Sequence, residues 1–258
     1  MITVVIIGSG NMAQAIINAC QNTDIDIVGI YSRNHEKSFE IAKQNSINYF
    51  ENTIDIPTNA DLYLLCVNDD AIENVSNNLL VNGGLVVHFS GLKNINEIGK
   101  QENKAVFWPI ESIHKNTFTN FKNTPICIEA NSDENYRIIE AFADRLSKNV
   151  LNINSEKRQY FHLAATITNN FSNHLIALAK NELDHQGLDY QILKHLLSNA
   201  LNNSFNFEPQ KTQTGPAYRN DLNTMQKHLD LIENNQLKTL YQLMSKSIFE
   251  LKQNRNNA

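Results

Sequence analysis

"ITVVIIGSGNMAQAIINAC", residues 2–20, decides how this chain folds. Six β-branched residues run into Gly8, and a helical spacing of apolar residues begins at Asn11. A strand apolar at nearly every position belongs in a parallel sheet covered on both faces. Between strand and helix lies the pattern GxGxxA, made of Gly8, Gly10 and Ala13, with Ser9, Asn11 and Met12 between them. Gly8 permits a tight turn, Gly10 lets the backbone approach a pyrophosphate, and Ala13 keeps helix and sheet close. The first turn of the helix then offers free N–H groups and the positive end of its dipole to phosphates. The alternative is a glycine turn in an α/β protein that has lost its cofactor.

The surroundings fit a cofactor turn. Further β-rich runs recur at 25–31, 61–67, 84–89, 104–108, 125–130 and 149–153, with helical spacings at 11–21, 35–45, 70–80 and 135–147. Strands alternating with helices predict a Rossmann-type, doubly wound and mostly parallel sheet. From Ser155 onward only helical patterns remain, including 190–204, 221–234 and 236–253. The expected domains are therefore a dinucleotide-binding domain over 1–153 and an all-helical domain over 154–258 for substrate binding and dimerisation.

At 258 residues, with 41% hydrophobic and 19% charged residues, the composition is that of a globular protein. A formal charge of −5 argues against nucleic acid or an anionic membrane as partner. Cys20, Cys66 and Cys127 are widely spaced and lie in apolar patterns, which predicts buried thiols, a reducing cytoplasm and no metal. The opening residues lack a basic segment and read as a strand, not a signal peptide. No apolar run is long enough to span a bilayer.

The end of the second strand chooses the cofactor. An NAD site usually carries an acid there, holding the ribose hydroxyls. Here stand Ser32 and Arg33, a hydroxyl and a guanidinium suited to a 2′-phosphate. One charge-assisted hydrogen bond contributes about 1.5–3 kcal/mol, roughly ten- to hundredfold in preference for NADP. Glu36 nearby opposes it, and Arg33 as a solvated loop residue is the alternative. In a doubly wound sheet the ligand lies beyond the strands' C-terminal ends. That brings in Val67, Asn68, Ser90 and Gly91 for the cofactor, while Asp69 and Asp70 read as helix N-caps. Trp108 is a candidate wall of the substrate pocket.

In the helical half, no charged residue occurs from Gln159 to Ala179. His162, Thr166, Asn169, Asn170 and Asn173 project onto one stripe at 100° per residue, and Leu163, Ile167, Phe171, Leu175 and Leu178 cover much of the rest. That predicts a helix buried nearly all round, its polar stripe facing either other helices or a substrate. Further along, "TQTGPAYRND" (212–221) sets Thr214 and Arg219 about a rigid Gly215–Pro216 turn. Arg219 suits a substrate carboxylate. Asp221 either holds Arg219 or caps the next helix, as Asp189 caps an earlier one. The expected catalytic group is His162, the stripe's only side-chain type that titrates near neutrality, with Thr166 and Asn170 polarising the substrate. Asn169 and Asn173 would help to orient it.

"GSGNMA", "FWPIES", "PICIEA", "HLAATITNNFSNHL" and "QTGPAYRND" followed by "KHL" occur in an order that resembles a bacterial family. Its members are Rossmann-like NADP oxidoreductases whose C-terminal part is a domain of unknown function, and the resemblance spans the whole chain. Asn220 stands where the family usually has Gly, and "FWPIES" replaces a more usual aromatic-Pro-Leu/Met-Gln-Thr. More remotely the layout is similar to pyrroline-5-carboxylate reductase and the β-hydroxyacid dehydrogenases, with a phosphogluconate-dehydrogenase-like helical domain. The resemblance implies hydride transfer between NADP(H) and a small C=O or C=N substrate in an interdomain cleft. It also implies a homodimer formed through the helical domain. Two alternatives stay open: an NADP-binding sensor or scaffold without turnover, and an imine reductase of the proline-biosynthetic type.

Overall fold

The computed structural model describes residues 1–115 and 119–256. Its strands are β1 (Ile2–Ile7), β2 (Ile25–Tyr31), β3 (Asn48–Phe50), β4 (Leu62–Leu65), β5 (Leu85–His88), β6 (Lys104–Pro109), β7 (Ile126–Ala130) and β8 (Val150–Asn152). They form one sheet in the order β3-β2-β1-β4-β5-β6-β7-β8. The pairings from β3 to β6 are parallel, β7 runs antiparallel to β6, and β8 is parallel to β7. The order 3-2-1-4-5-6 is that of a dinucleotide-binding fold, with its switch point between β1 and β4. The sequence reading misses β3, whose three residues are too short for an alternation to show.

Helices α1 (Asn11–Cys20), α2 (His35–Asn45), α3 (Ile72–Asn77) and α4 (Asp133–Leu146) cover the sheet. Alternate residues of one strand serve opposite layers. Val4 and Ile6 pack with Ile16 of α1, Ile41 of α2 and Phe142 of α4. Val5 and Ile7 pack with Ile72 of α3, Leu79 and Ile98. Val4, Val5, Ile6 and Ile7 are all buried, which explains a strand with no polar face. Each such side chain contributes about 1.5–3 kcal/mol.

The chain divides into two compact units, Met1–Ile167 and Thr168–Ala258. The change to helices falls at α5 (Ser155–Ala165), close to the expected 153, yet α5 belongs to the first unit. Its first turn is built into that unit: Ser155 and Arg158 are buried there, both bonded to Glu129 of β7.

After α5, a π-helical stretch, Thr166–Phe171, leads into α6 (Ser172–His185). A π turn changes the residue spacing, so the 100° rule behind the stripe does not carry from residues before it to those after it. The expectation of a helix buried nearly all round is also corrected. Leu163, Ile167 and Phe171 are 56%, 50% and 58% exposed.

The second unit continues with α7 (Lys194–Asn206), short α8 (Pro209–Thr212) and α9 (Pro216–Arg219), then α10 (Leu222–Leu231) and α11 (Asn235–Asn256). Among its described residues Ala217 alone is buried, while Leu196, Leu201, Phe205 and Phe207 are exposed. Asn220 follows α9 with φ +59°, in the left-handed region. Asn is among the few residues other than Gly that adopt it readily. Among the described residues no helix is long and apolar enough to cross a membrane.

Candidate dinucleotide site

Gly8 leaves β1 with φ +118° and donates its N–H to the carbonyl of Tyr31 at 2.7 Å. A Cβ at this position would sit 2.2 Å from the carbonyl oxygen of Cys66. The turn is thus pressed between the ends of β2 and β4, where no side chain fits. Gly10 occupies the N-cap of α1 in an extended conformation and no side chain caps that end; the first turn holds no acid. Free N–H groups and no negative charge make a fit for a pyrophosphate.

Beside this turn, the hydroxyls of Ser9 and Ser32 are 2.9 Å apart, both buried. Ser32 Oγ also accepts the N–H of Asn34 at 3.2 Å. The glycine turn and the tip of β2 are therefore tied together. Arg33 is exposed and makes no ion pair among the described residues, with Glu36 or otherwise. Val67 lies against Gly8, with its Cγ1 3.3 Å from a notional Cβ there. Asn11 donates from Nδ2 to the carbonyl of Ile113 at 3.3 Å, which brings the segment after β6 over the start of α1. Met12 packs against the core.

The other end of the sheet edge is more crowded. Ser90 Oγ donates to Asp69 Oδ2 at 2.6 Å and accepts the N–H groups of Leu92 and Lys93 at 3.1 and 3.0 Å. Asp69 is thus a partner of Ser90, and Asn68, not Asp69 or Asp70, holds the N-cap position of the short helix that follows β4. This corrects the capping expectation, because the Ser90 hydroxyl competes for the Asp69 carboxylate. A Cβ on Gly91 would meet His162 Cδ2 at 2.4 Å and Trp108 Cε2 at 2.7 Å. The Trp108 and His162 rings lie 5.8 Å apart at 49°. Gly91, Trp108 and His162, from the end of β5, from β6 and from α5, are thereby brought to one point. The Thr166 hydroxyl donates to the carbonyl of His162 at 3.0 Å, so it serves its own helix.

Three groups here escaped the sequence reading. His88 is fully buried: its Nδ1 accepts the N–H of Ser90 at 3.1 Å, and its Nε2 has no hydrogen-bond partner among the described residues. Burial, then the positive charge of Arg158, holds its imidazole down to about 3. The folded protein keeps it neutral while the unfolded chain titrates near ~6.5, so between these values the unfolded state binds the extra proton. Stability should fall as pH drops through that window, by about 1.4 kcal/mol per pH unit. Urea unfolding at pH 6.5 and 4.5 should show a loss about 2–3 kcal/mol smaller in His88→Asn than in the wild type. Parallel losses would refute the assignment.

Arg158 and Glu129 are the other two. The Arg158 side chain is fully buried and its guanidinium donates to Glu129 Oε2 at 2.5 Å. It also donates to the carbonyl of Lys93 at 2.5 Å and to Ser155 Oγ at 3.1 Å. The signal was a lone acid in the apolar strand "PICIE", which needs a buried cation as partner.

Gly215 (φ +106°) and Pro216 open α9, as the turn chemistry predicted. Asp221 is the N-cap of α10, accepting the N–H and hydroxyl of Thr224 at 3.0 and 2.7 Å. The bonds from Thr224 come first, then the charge of Arg219, in holding its carboxyl below the ordinary value. Asp189 likewise caps by accepting the N–H of Gln191 at 2.9 Å. Arg219, Asn169, Asn170 and Asn173 are exposed. Asn169 donates to Asn170 at 3.2 Å. Thr214 lines a groove of about 350 Å³ with Leu175, His228, Tyr241 and Met244, where His228 Nδ1 lies 2.8 Å from the Tyr241 hydroxyl. That pair was not foreseen, although His228 lies in the quoted "KHL".

The sheet order and the glycine turn define a Rossmann-type dinucleotide-binding fold. Two family descriptions match: "NADP oxidoreductase coenzyme F420-dependent" over residues 3–90 and "Domain of unknown function (DUF2520)" over 124–248. A Bacteroides fragilis protein provisionally named an NADP oxidoreductase has 33% identity and a TM-score of 0.87, with 96% of this chain and 98% of that one covered. The chain belongs to its family, that of NADP oxidoreductases with this C-terminal domain. A protein from Thermotoga maritima matches with 23% identity and a TM-score of 0.71, over 98% of this chain and 99% of its own. The pyrroline-5-carboxylate reductase of Streptococcus pyogenes shares the fold at 18% identity and a TM-score of 0.62, over 96% and 98% of the two chains. No curated protein matches the chain.

Proposed function

We propose that this protein transfers a hydride between NADP(H) and a small C=O or C=N substrate. The observation that carries the reading is the open first turn of α1, hydrogen-bonded through Ser9 to a β2 tip that ends in Ser32 and Arg33 without an acid. Backbone N–H groups would hold the pyrophosphate, and the Ser32 hydroxyl and Arg33 guanidinium a 2′-phosphate. Val67, Asn68, Ser90 and Gly91 would line the way toward Trp108 and His162. NADPH, when bound, supplies the hydride. His162 would give a proton to the oxygen or nitrogen of the substrate as its carbon is reduced, and take it back in the reverse direction. Asn169, Asn170, Asn173, Thr214 and Arg219 are proposed to orient the substrate, Arg219 through a carboxylate.

Nicotinamide fluorescence titration tests the cofactor. NADPH should bind more tightly than NADH, and Arg33→Ala should weaken NADPH about tenfold or more while hardly changing NADH. Loss of both nucleotides equally would count against the 2′-phosphate role. A panel of carbonyl and imine substrates then separates turnover from the sensor reading, which binds NADPH and reduces none.

We also propose a homodimer through the helical unit. A stretch of this length normally buries much of its surface, whereas here Ala217 is the one buried residue described and large apolar side chains stand exposed. Light scattering should give twice the chain mass of 29.3 kDa; a monomer would sink the proposal.

A further inference from the structure

We infer that Arg158 is a positioning residue, which fixes His162 against Gly91 and Trp108 by locking the start of α5 to the loop that follows Ser90. The inference rests on reading Gly91, Trp108 and His162 as the substrate end of the cofactor site.

Arg158 lies one helical turn before His162, on the same face of α5. Its guanidinium spans two separate parts of the first unit: Glu129 on β7, and the Lys93 carbonyl three residues after Ser90. Ser155, a turn earlier, repeats the pattern. Its hydroxyl donates to Glu129 Oε2 at 2.7 Å and accepts the N–H of Ile95 at 3.0 Å. Gln159 adds a third tie, donating to the carbonyl of Leu92 at 3.0 Å. Three residues of the loop, Leu92, Lys93 and Ile95, are thus each bonded to α5, while Ser90 and Gly91 stand at the head of that loop.

Holding a helix to a sheet does not call for this. A buried ion pair is often no more stabilising than apolar groups of the same volume. What a forked guanidinium adds is direction, because its donors fix both distance and angle to each acceptor. The spacing at the other end of the device leaves little play. With a notional Cβ on Gly91 at 2.4 Å from His162 and 2.7 Å from Trp108, the three groups are already at close contact. A small rotation of α5 would draw the imidazole off the indole. The chain's single tryptophan is Trp108, so its emission reports on the surroundings of that one ring, His162 among them.

The test uses the full chain and needs neither substrate nor cofactor. An imidazole in ring contact perturbs indole emission, so the wild type should differ in emission from His162→Ala, and that difference is the step to be followed. Arg158→Met, which fills the space without the fork, should shrink the step at least threefold while NADPH binding stays within twofold of the wild type. A merely stabilising residue would leave the step intact in the folded variant, and a full step in Arg158→Met overturns the inference. If that variant does not fold by circular dichroism, Arg158→Lys, which keeps the charge, carries the same comparison with the same two outcomes. Failure of both to fold makes Arg158 a stabilising residue only, and a wild type without a step removes the contact itself; either result refutes the positioning role. Failure of the wild type to bind NADPH would overturn the functional reading and leave the emission comparison standing.

Discussion

Gly8→Ala is expected to abolish measurable NADPH binding and to lower the melting temperature of the first unit by roughly 5–12 °C, a loss of about 2–4 kcal/mol. Two costs add. The backbone holds φ at +118°, where an L side chain is strained. The new methyl would also lie 2.2 Å from the carbonyl oxygen and 2.7 Å from the carbonyl carbon of Cys66. Both are backbone atoms of a chain bonded into the sheet, since Cys66 donates its N–H to the carbonyl of Ile7 at 2.7 Å, so no flexible group can yield. Relief requires the turn to lift from the sheet, which moves the first N–H groups of α1 off any pyrophosphate. Calorimetry with a parallel nucleotide titration checks both halves. A Gly8→Ala variant that melts and binds like the wild type would mean that the turn is not built as described.

The second large effect is expected at Glu129. Glu129→Ala should cost about 3–5 kcal/mol, because it leaves a fully buried guanidinium without its carboxylate. The reverse deletion should cost less. The Glu129 side chain is 15% exposed and keeps the Ser155 hydroxyl as donor, so without Arg158 it retains a partner and some water. Combining Glu129→Ala with Arg158→Met should recover part of the loss, as removing both charges leaves none buried alone. Urea unfolding of the three variants measures it. Equal costs for the two single changes would refute the asymmetry.

What could be read from the residues was whatever local pattern controls. β1 had no polar face because both of its faces are covered, and GxGxxA sat where strand meets helix, so fold and turn were legible together. Asp221 and Asp189 were legible as caps because an Asx cap acts over three residues. Groups that depend on distant partners were not. Arg158 lies next to Lys157 in a string of polar residues, and its burial follows from Glu129, 29 positions earlier, and from the Lys93 carbonyl. The Asp69 carboxylate looked like a cap until Ser90, 21 positions on, took it. The stripe misled because its projection assumed an unbroken α-helix across Thr166–Phe171, where the structure has π turns.

The sparse interior of the helical unit has a kinetic corollary. The first unit has a two-sided core and can close on itself, a first-order event that needs one chain. With Ala217 as its one buried residue described, the second unit gains little by collapsing alone. Its folding becomes second-order in protein on the proposed dimer, so assembly is an encounter between chains whose N-terminal halves are already complete. During synthesis the N-terminal unit emerges first, and on the proposed dimer the helices behind it would wait, apolar faces open, for another chain to arrive.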